Sequence, residues 1–473
     1  MSERLESVSP ADASDEIGSF PVADAAAVRT AVAHARAAFP GWRGLGLEAR
    51  AVILRRFGAL AAERADELTE LIAREVGKAL WDARGEARLL SPKVDLTLGE
   101  GMQAAATLEA GTGARATFHP RGVVAVLGPF NFPAHLPNGH IVPALATGNV
   151  VIFKPSELAP AVGAWLADRL REAGVPPGVF QVLQGGADTG HALAVDPDVD
   201  AVLFTGSWTT GRALREATLD QPGKLLALEM GGKNAIVVLD DADLELAVAE
   251  TALSICATTG QRCSCASRVF VDASLEEEFS DRLAAVLHGV KIGAPLDEGV
   301  FMGPLVSHRA WCKVQEFRSL EAQGDGERIL CVDPGLPAPY VGPGLVRYPT
   351  SEQRSLHQRE EIFGPEAALH PIADLGEAIA AVNDSEYGLV ASVFTRERAR
   401  YAYAVGRIRT GLLNWNRGTI GASGRLPFGG LGKSGNDRPA GISATLYCTT
   451  PQSHLESPAG FDPTSLPPGM PQP

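Results

Sequence analysis

Cysteine is scarce in this chain. Six occur in 473 residues, at 256, 263, 265, 312, 331 and 448, and no two form a CxxC pair. So few cannot frame a disulfide-built fold, and their spacing argues against a zinc ribbon or a thioredoxin-like redox pair. Positive charge is in deficit too: 42 Lys and Arg against 56 Asp and Glu leave a net charge of -14. That balance argues against nucleic acid or an anionic membrane surface as a partner. No run of about 18 apolar residues appears, so no membrane-spanning helix is expected. The opening MSERLESVSPADASDEIGSF has no apolar signal core. Together these absences point to reduced thiols in a cytoplasmic protein. No cluster with metal-ligand spacing occurs, so no metal is expected. What remains is ordinary for a globular protein, with 45% hydrophobic and 21% charged residues in a chain long enough for two or three domains.

Residues 23–38, 50–76 and 84–107 are rich in Ala, Leu, Glu and Arg, with apolar positions three and four apart, which predicts helices. Pro92 is expected to kink or split the third. From residue 122 short β-rich runs (123–127, 150–154, 179–183, 201–205, 225–229, 235–239) alternate with helical stretches (134–146, 159–173). Continuous apolar strands separated by helices predict a parallel sheet covered on both faces, with ligands beyond its carboxyl edge. A second α/β series begins near 243, with helices over 243–258 and 274–288 and strands over 268–272, 367–372, 391–395 and 411–415. The tail from 457 is rich in Pro and Gly and is expected to lack regular structure.

Five stretches carry chemistry. In TGQRCSC at 259–265, Cys263 lies between a helix and a strand, where a thiol is reachable; a buried structural cysteine is the plainer alternative. In LALEMGGKN at 226–234 a strand ends in Glu229, and a desolvated carboxylate there would have its pKa raised toward that of a general base. The alternative is a solvated or salt-bridged acid. In LGPFNFP at 127–133 the Asn131 amide could donate to an oxyanion, or Asn131 could cap the next helix. In FKPSE at 153–157, Lys154 and Glu157 could grip ribose hydroxyls or form an exposed ion pair. FTGSWTTG at 204–211 reads as strand, Gly206-Ser207 turn and helix, with Gly211 inside; backbone N–H groups there can meet a pyrophosphate. GLGKSG at 430–435 matches two nucleotide-loop patterns, but no βαβ unit surrounds it and Pro427 stands where a phosphate loop needs its first glycine.

In this order the stretches resemble the aldehyde dehydrogenase superfamily, from about residue 23 to 450. The markers are PFNFP at 129–133, KPSE at 154–157, FTGSWTTG at 204–211, LEMGGKN at 228–234, GQRC at 260–263, EEIFGP at 360–365 and PFGG at 427–430. A closer likeness, to the N-succinylglutamate 5-semialdehyde dehydrogenases of arginine catabolism, rests on NFPAHLPNGHIVPAL at 131–145, GQRCSCASR at 260–268, NWN at 414–416 and GGLGKSGNDRPA near the C-terminus. Lys233 departs from it, where Asn is expected, as does the 417–425 segment.

The resemblance implies an α/β fold with a Rossmann-like cofactor domain (1–109 and 123–231), an α/β catalytic domain (232–435), a small β oligomerisation arm (110–122 and 436–455) and an irregular tail (456–473). It implies an NAD-dependent oxidation of an aldehyde to a carboxylic acid. Cys263 would be the nucleophile, Asn131 and the Cys263 N–H would hold the oxyanion, and Glu229 would activate water. Lys154 and Glu157 are expected at the adenosine ribose, with Glu157 favouring NAD over NADP. Gly206, Ser207 and Gly211 are expected at the pyrophosphate, Glu361 at the nicotinamide ribose and Phe363 beside the ring. Arg262, Arg417 and Arg425 are candidates for the substrate's carboxylates, since an arginine fork matches a carboxylate. A homodimer or homotetramer is expected. Two rivals are a CoA-acylating relative, against which Glu229 argues, and a non-catalytic binding protein, against which the set Cys263, Glu229 and Asn131 argues.

Overall fold

The computed structural model describes residues 3–320, 325–457, 460 and 466–471. The chain opens with a hairpin that the sequence pattern does not announce, β1 (Arg4–Val8) against antiparallel β2 (Glu16–Pro21). Helix α1 (Ala25–Gly44) starts on Asp24, whose carboxylate accepts the Ala27 N–H, and buries Val28, Ala31, Val32 and Ala35. It runs through Pro40, past the expected end at 38, because Trp42 is buried and its indole N–H donates to the Leu145 carbonyl at 3.1 Å. Anchoring one large ring outweighs the amide that proline lacks. The stretch expected as one helix over 50–76 is two, α2 (Gly46–Glu63) and α3 (Ala65–Val76), and α3 stops at Gly77 in the left-handed conformation (φ 72). The third stretch is split as well, into α4 (Leu80–Arg88) and α5 (Leu90–Leu96). Pro92 sits in the first turn of α5, where its missing N–H breaks no intrahelical bond.

β3 (Leu108–Gly111) and β4 (Ala114–Pro120) form a small hairpin. The predicted alternation follows: β5 (Val123–Leu127), α6 (His135–Ala146), β6 (Val150–Lys154), α7 (Pro160–Ala173), β7 (Phe180–Val182), α8 (Ala187–Val195), β8 (Ala201–Thr205), α9 (Trp208–Ala217) and β9 (Leu225–Glu229). The five strands pair in parallel in the order β7-β6-β5-β8-β9. Every residue of β5 and β6 is buried, which is why these runs are continuously apolar rather than alternating. From β5 the chain moves to β6 on one side and returns to β8 on the other. The crevice beyond the carboxyl ends of β5 and β8 is therefore a topological switch point, the usual ligand position in such sheets. Two buried carboxylates of the helical segment brace the crossover helices. Glu75 accepts the N–H groups of Ala161 and Val162 at the start of α7 (2.7 and 2.8 Å). Glu86 accepts those of Ala134 and His135 at the start of α6 (2.9 and 3.0 Å). A negative charge is favoured at both places by the free N–H groups of a helix start.

The second series comprises β10 (Asn234–Val238), α10 (Leu244–Cys256), β11 (Ala266–Asp272), α11 (Glu276–His288), α12 (His308–Ser319), β12 (Glu327–Cys331), β13 (Gly344–Arg347), β14 (Glu366–Ile372), α13 (Leu375–Asn383), β15 (Val390–Phe394) and β16 (Leu412–Trp415). Its sheet has the order β12-β13-β14-β11-β10-β15-β16, antiparallel only between β12 and β13. Alternate residues of β10 feed two cores, Ile236 and Val238 on one face, Ala235 and Val237 on the other. A final strand, β17 (Thr449–Leu455), pairs along β4 to give a three-stranded antiparallel sheet. The 430–435 stretch makes a short antiparallel bridge with Tyr387–Gly388 rather than a strand–turn–helix. Of the tail expected to be irregular, residues 456, 457, 460 and 466–471 lie in no helix or strand, and the rest falls outside the described residues.

Candidate active site

Helix α10 ends at Cys256, and the chain then turns sharply through Ala257–Gly260. Thr258 and Thr259 hold φ of 53 and 55, a region that β-branched residues avoid unless their surroundings impose it. Both are buried, and each hydroxyl is tied down: Thr258 donates to Asp82, and Thr259 to the Gly303 carbonyl at 2.9 Å. Gly260 (φ 73) backs onto the FGP stretch so closely that a Cβ would lie 2.1 Å from the Gly364 carbonyl carbon. Cys263 follows, half-buried, its carbonyl accepting from the Asn234 side-chain amide at 2.6 Å. The glycines at 231 and 232 are explained by the same crowding. A Cβ on Gly232 would sit 2.4 Å from the Cys263 carbonyl oxygen, and one on Gly231 would sit 2.1 Å from a Glu361 carboxylate oxygen. Burial pushes the Cys263 thiol up to about 12, with Glu361 and Glu229 adding to the rise and Arg262 opposing it.

Glu229 ends β9 and is buried. One of its carboxylate oxygens has no hydrogen-bond partner among the described residues. Burial pushes the group well above the usual carboxylate range, opposed only by the Ala440 N–H. Its surroundings therefore favour the neutral carboxyl more than water does, and it lies near enough to Cys263 to act on the thiol's charge. Asn131 is also buried, and its amide donates to the Gln261 carbonyl at 2.8 Å, two residues before the cysteine. Thus Cys263, Glu229 and Asn131, far apart in sequence, converge. The Asn131 side chain does not cap α6; Glu86 does that.

The residues expected at a dinucleotide lie at the carboxyl ends of the first sheet. Lys154 ends β6, is buried, and donates to the carbonyls of Pro155 (2.8 Å) and Gly185 (2.7 Å). Burial lowers its pKa, with Glu157 opposing from 3.7 Å; that carboxylate is half exposed. Gly206 and Ser207 follow β8, and exposed Ser207 caps α9 by accepting the Thr210 N–H. Gly211 packs on Met230, leaving no room for a Cβ. Glu361 accepts the Gly232 N–H at 2.9 Å, and burial raises its pKa to about 7 against that bond and the lysines at 313 and 233. Phe363 holds φ of 61 and meets Phe130 edge-on at 5.8 Å. An exposed helix start, an exposed carboxylate and a buried lysine ranged along one sheet edge fit a phosphate-bridged nucleotide with free ribose hydroxyls.

The three arginines proposed for substrate recognition are placed differently from one another. Arg417 is exposed on the segment after β16. Arg425 is exposed and pairs with Glu100 at 3.3 Å. Arg262 is mostly buried and already engaged, bonded to Asp82 at 2.9 Å and to the Thr258 hydroxyl at 2.7 Å. Asp82 is not recognisable as its partner from sequence, because the two lie 180 positions apart. Lys233, where asparagine was expected, is buried and donates to the His357 carbonyl at 2.7 Å; burial lowers its pKa to about 7.

Two covered α/β sheets, a switch-point edge suited to a dinucleotide and a cysteine turn beside a desolvated carboxylate define a thiol-dependent dehydrogenase layout. The aldehyde dehydrogenase family model matches residues 1–453, and the chain belongs to that family. It is 42% identical to N-succinylglutamate 5-semialdehyde dehydrogenase 2 of Caulobacter vibrioides, across 96% of this chain and 93% of that protein. Among solved structures it is similar to an NAD-dependent aldehyde dehydrogenase from Sinorhizobium meliloti (31% identity, TM-score 0.91, covering 97% and 93% of the two chains). It is also similar to an NADP-dependent enzyme of E. coli (32% identity, TM-score 0.90, covering 95% and 94%).

Proposed function

We propose that this protein oxidises N-succinyl-L-glutamate 5-semialdehyde to N-succinyl-L-glutamate with NAD, as a cytoplasmic step of arginine catabolism. The observation that carries the chemistry is the convergence of the Cys263 turn, the Asn131 amide and the buried Glu229 carboxyl, one oxygen of which has no partner among the described residues. The relatives' shared name carries the substrate. Cys263 attacks the aldehyde carbon, giving a tetrahedral thiohemiacetal. The developing oxyanion is held by the Asn131 side-chain amide and the Cys263 N–H. NAD, when bound, supplies the acceptor for the hydride that the tetrahedral carbon releases. Glu229, in its ionised form, then takes a proton from water as that water attacks the thioester carbon; the C–S bond breaks, releasing the carboxylic acid and the Cys263 thiolate, and the raised pKa makes Glu229 a stronger base than an ordinary carboxylate. Lys154 and Glu157 hold the adenosine ribose, and the Glu157 carboxylate repels a 2′-phosphate. Gly206, Ser207 and Gly211 form the pyrophosphate turn. Glu361 binds the second ribose, with Phe363 beside the ring.

The chain division that goes with this reading is a cofactor domain over 1–109 and 123–231, a catalytic domain over 232–435 and an arm over 110–122 and 436–455. The arm extends a neighbour's sheet in a homodimer or a homotetramer. Arg417 and Arg425, both exposed, are the candidates to meet substrate carboxylates, Arg425 by exchanging its exposed pair with Glu100. The test is NADH formation with N-succinylglutamate 5-semialdehyde against neutral and other acidic aldehydes. Preference for the succinylated substrate is expected. Equal turnover of the whole panel would discard the substrate and keep the reaction, and turnover only with CoA present would replace water by a thiol acceptor.

A further inference from the structure

Lys78, just before α4, and Asp82 and Glu86 within it are spaced four apart, and all three are almost fully buried, at 2%, 4% and 1% exposure. Charges at that depth persist only when paired and hydrogen-bonded throughout. Here the pairing is complete. Lys78 lies 2.7 Å from Glu86 and 3.8 Å from Asp82, and its ammonium sits 3.5 Å above the centre of the Phe132 ring. Arg262 bonds Asp82 and lies 5.0 Å from the same ring centre on the 258–263 side. Two cations and two carboxylates make the group neutral without solvent.

The two ends of this line reach the two halves of the active site. Glu86 fixes the backbone of Ala134 and His135, just after Asn131. Asp82 fixes the Thr258 hydroxyl and Arg262, which bracket the left-handed turn leading to Cys263. A hydrogen bond joins the halves directly, from the Asn131 amide to the Gln261 carbonyl. Phe132, the residue after Asn131, has both cations over its ring.

We propose that Asp82, acting with Lys78, Glu86 and Arg262, is a positioning residue that sets the Cys263 turn in register with the Asn131 loop, so that thiol and oxyanion donor meet one carbonyl. This rests on the reading of Cys263 and Asn131 given above. It also assigns Arg262 to that frame rather than to a substrate carboxylate.

The test uses the full chain with Asp82→Ala, Asp82→Asn, Arg262→Ala and the Asp82→Ala/Arg262→Ala pair, each checked for folding by thermal melt. NADH initial rates are measured alongside iodoacetamide labelling of Cys263, read by mass spectrometry. In Asp82→Ala, kcat should fall about 10²-fold with KM within about threefold, since small misplacement of reacting groups acts on turnover. Asp82→Asn, which keeps an acceptor for Thr258, should recover about tenfold of that loss. The double variant should be no slower than the slower single, as expected of groups acting as a unit. Cys263 labelling should change at least about fivefold in rate in Asp82→Ala, because thiol reactivity follows its surroundings. A folded Asp82→Ala with kcat within about threefold of wild type would overturn the proposal, as would Arg262→Ala raising KM alone. If Asp82→Ala does not fold, Asp82→Asn decides on the same kcat and labelling readouts. If wild type oxidises no aldehyde, the functional reading fails by itself, and the labelling rate decides the positioning claim: an unchanged rate overturns it.

Discussion

Asp82 and Glu229 are two carboxylates at nearly equal depth, 4% and 6% exposed, yet their pKa values are shifted in opposite directions. For both, burial favours the neutral acid. Around Asp82, burial is more than offset by Lys78, Arg262 and the Thr258 hydroxyl, which hold the group below the usual range and ionised. Around Glu229 there is a single opposing N–H and an oxygen with no partner, so the group is held well above it. Depth alone therefore does not tell a structural acid from a reactive one. A fully partnered carboxylate is a fixed charge that holds neighbours in place. A desolvated one with unused hydrogen-bonding capacity can exchange a proton during a reaction.

Replacing each acid is the sharpest way to break this contrast. Glu229→Gln should slow turnover by about 10²–10⁴-fold, the usual range for removing a general base, and leave an acyl group on Cys263 visible by intact mass. Asn131→Ala should cost about 10²–10³ in kcat through the lost oxyanion donor, measured as steady-state NADH formation. Stability should go the other way. Asp82→Ala should lose about 3–5 kcal/mol in urea unfolding, because Arg262 and Lys78 would be left short of a buried partner. Glu229→Gln should change stability by no more than about 1 kcal/mol, since no ion pair is broken.

The pH dependences also differ in sign. Glu229 binds its proton more tightly folded than unfolded, so its contribution to stability falls as pH rises from 4.5 toward its raised value. Asp82 is lowered, so its contribution is present above 3.8 and is lost as pH falls through the lowered value. Unfolding at a series of pH values, wild type against each variant, reads both. The kcat profile should rise on a limb above the ordinary carboxylate range, and Glu229→Gln should remove it. The smallest expected effect lies at the nucleotide edge: Glu157→Gln should shift the NAD to NADP preference by about tenfold, read from the ratio of kcat/KM values.

Much of the first sheet was legible because its signal is local. Strands 123–127, 150–154, 201–205 and 225–229 are continuous apolar runs whose ends are marked by Gly, Pro or a charge, and the structure has the same bounds. The N-terminal hairpin was not legible, because the apolar residues of β1, Leu5 and Val8, are three apart and neither is buried, while the residue it buries is Ser7. Nor were β12 and β13, short and flanked by irregular chain. At the site, Cys263, Glu229 and Asn131 stood out because each sits at the end of an element, in a motif. Asp82 and Glu86 did not, since a charged residue in a helix normally faces water and nothing in the 80–88 stretch says otherwise. One weak signal existed: Lys78, Asp82 and Glu86 share a helical face with Ala79, Ala83 and Ala87, a face too poor in polar neighbours to be a solvated one.

What the sequence determined by itself was the family, the parallel sheets and which cysteine to propose as nucleophile, all consequences of short-range pattern: period, end residues and motif order. Tertiary structure alone decided what surrounds each titratable group. It joined Arg262 to Asp82 across 180 positions and left one Glu229 oxygen without a partner among the described residues. Charge state and reactivity depend on desolvation and on neighbours within a few ångströms, and the fold brings those neighbours from anywhere in the chain.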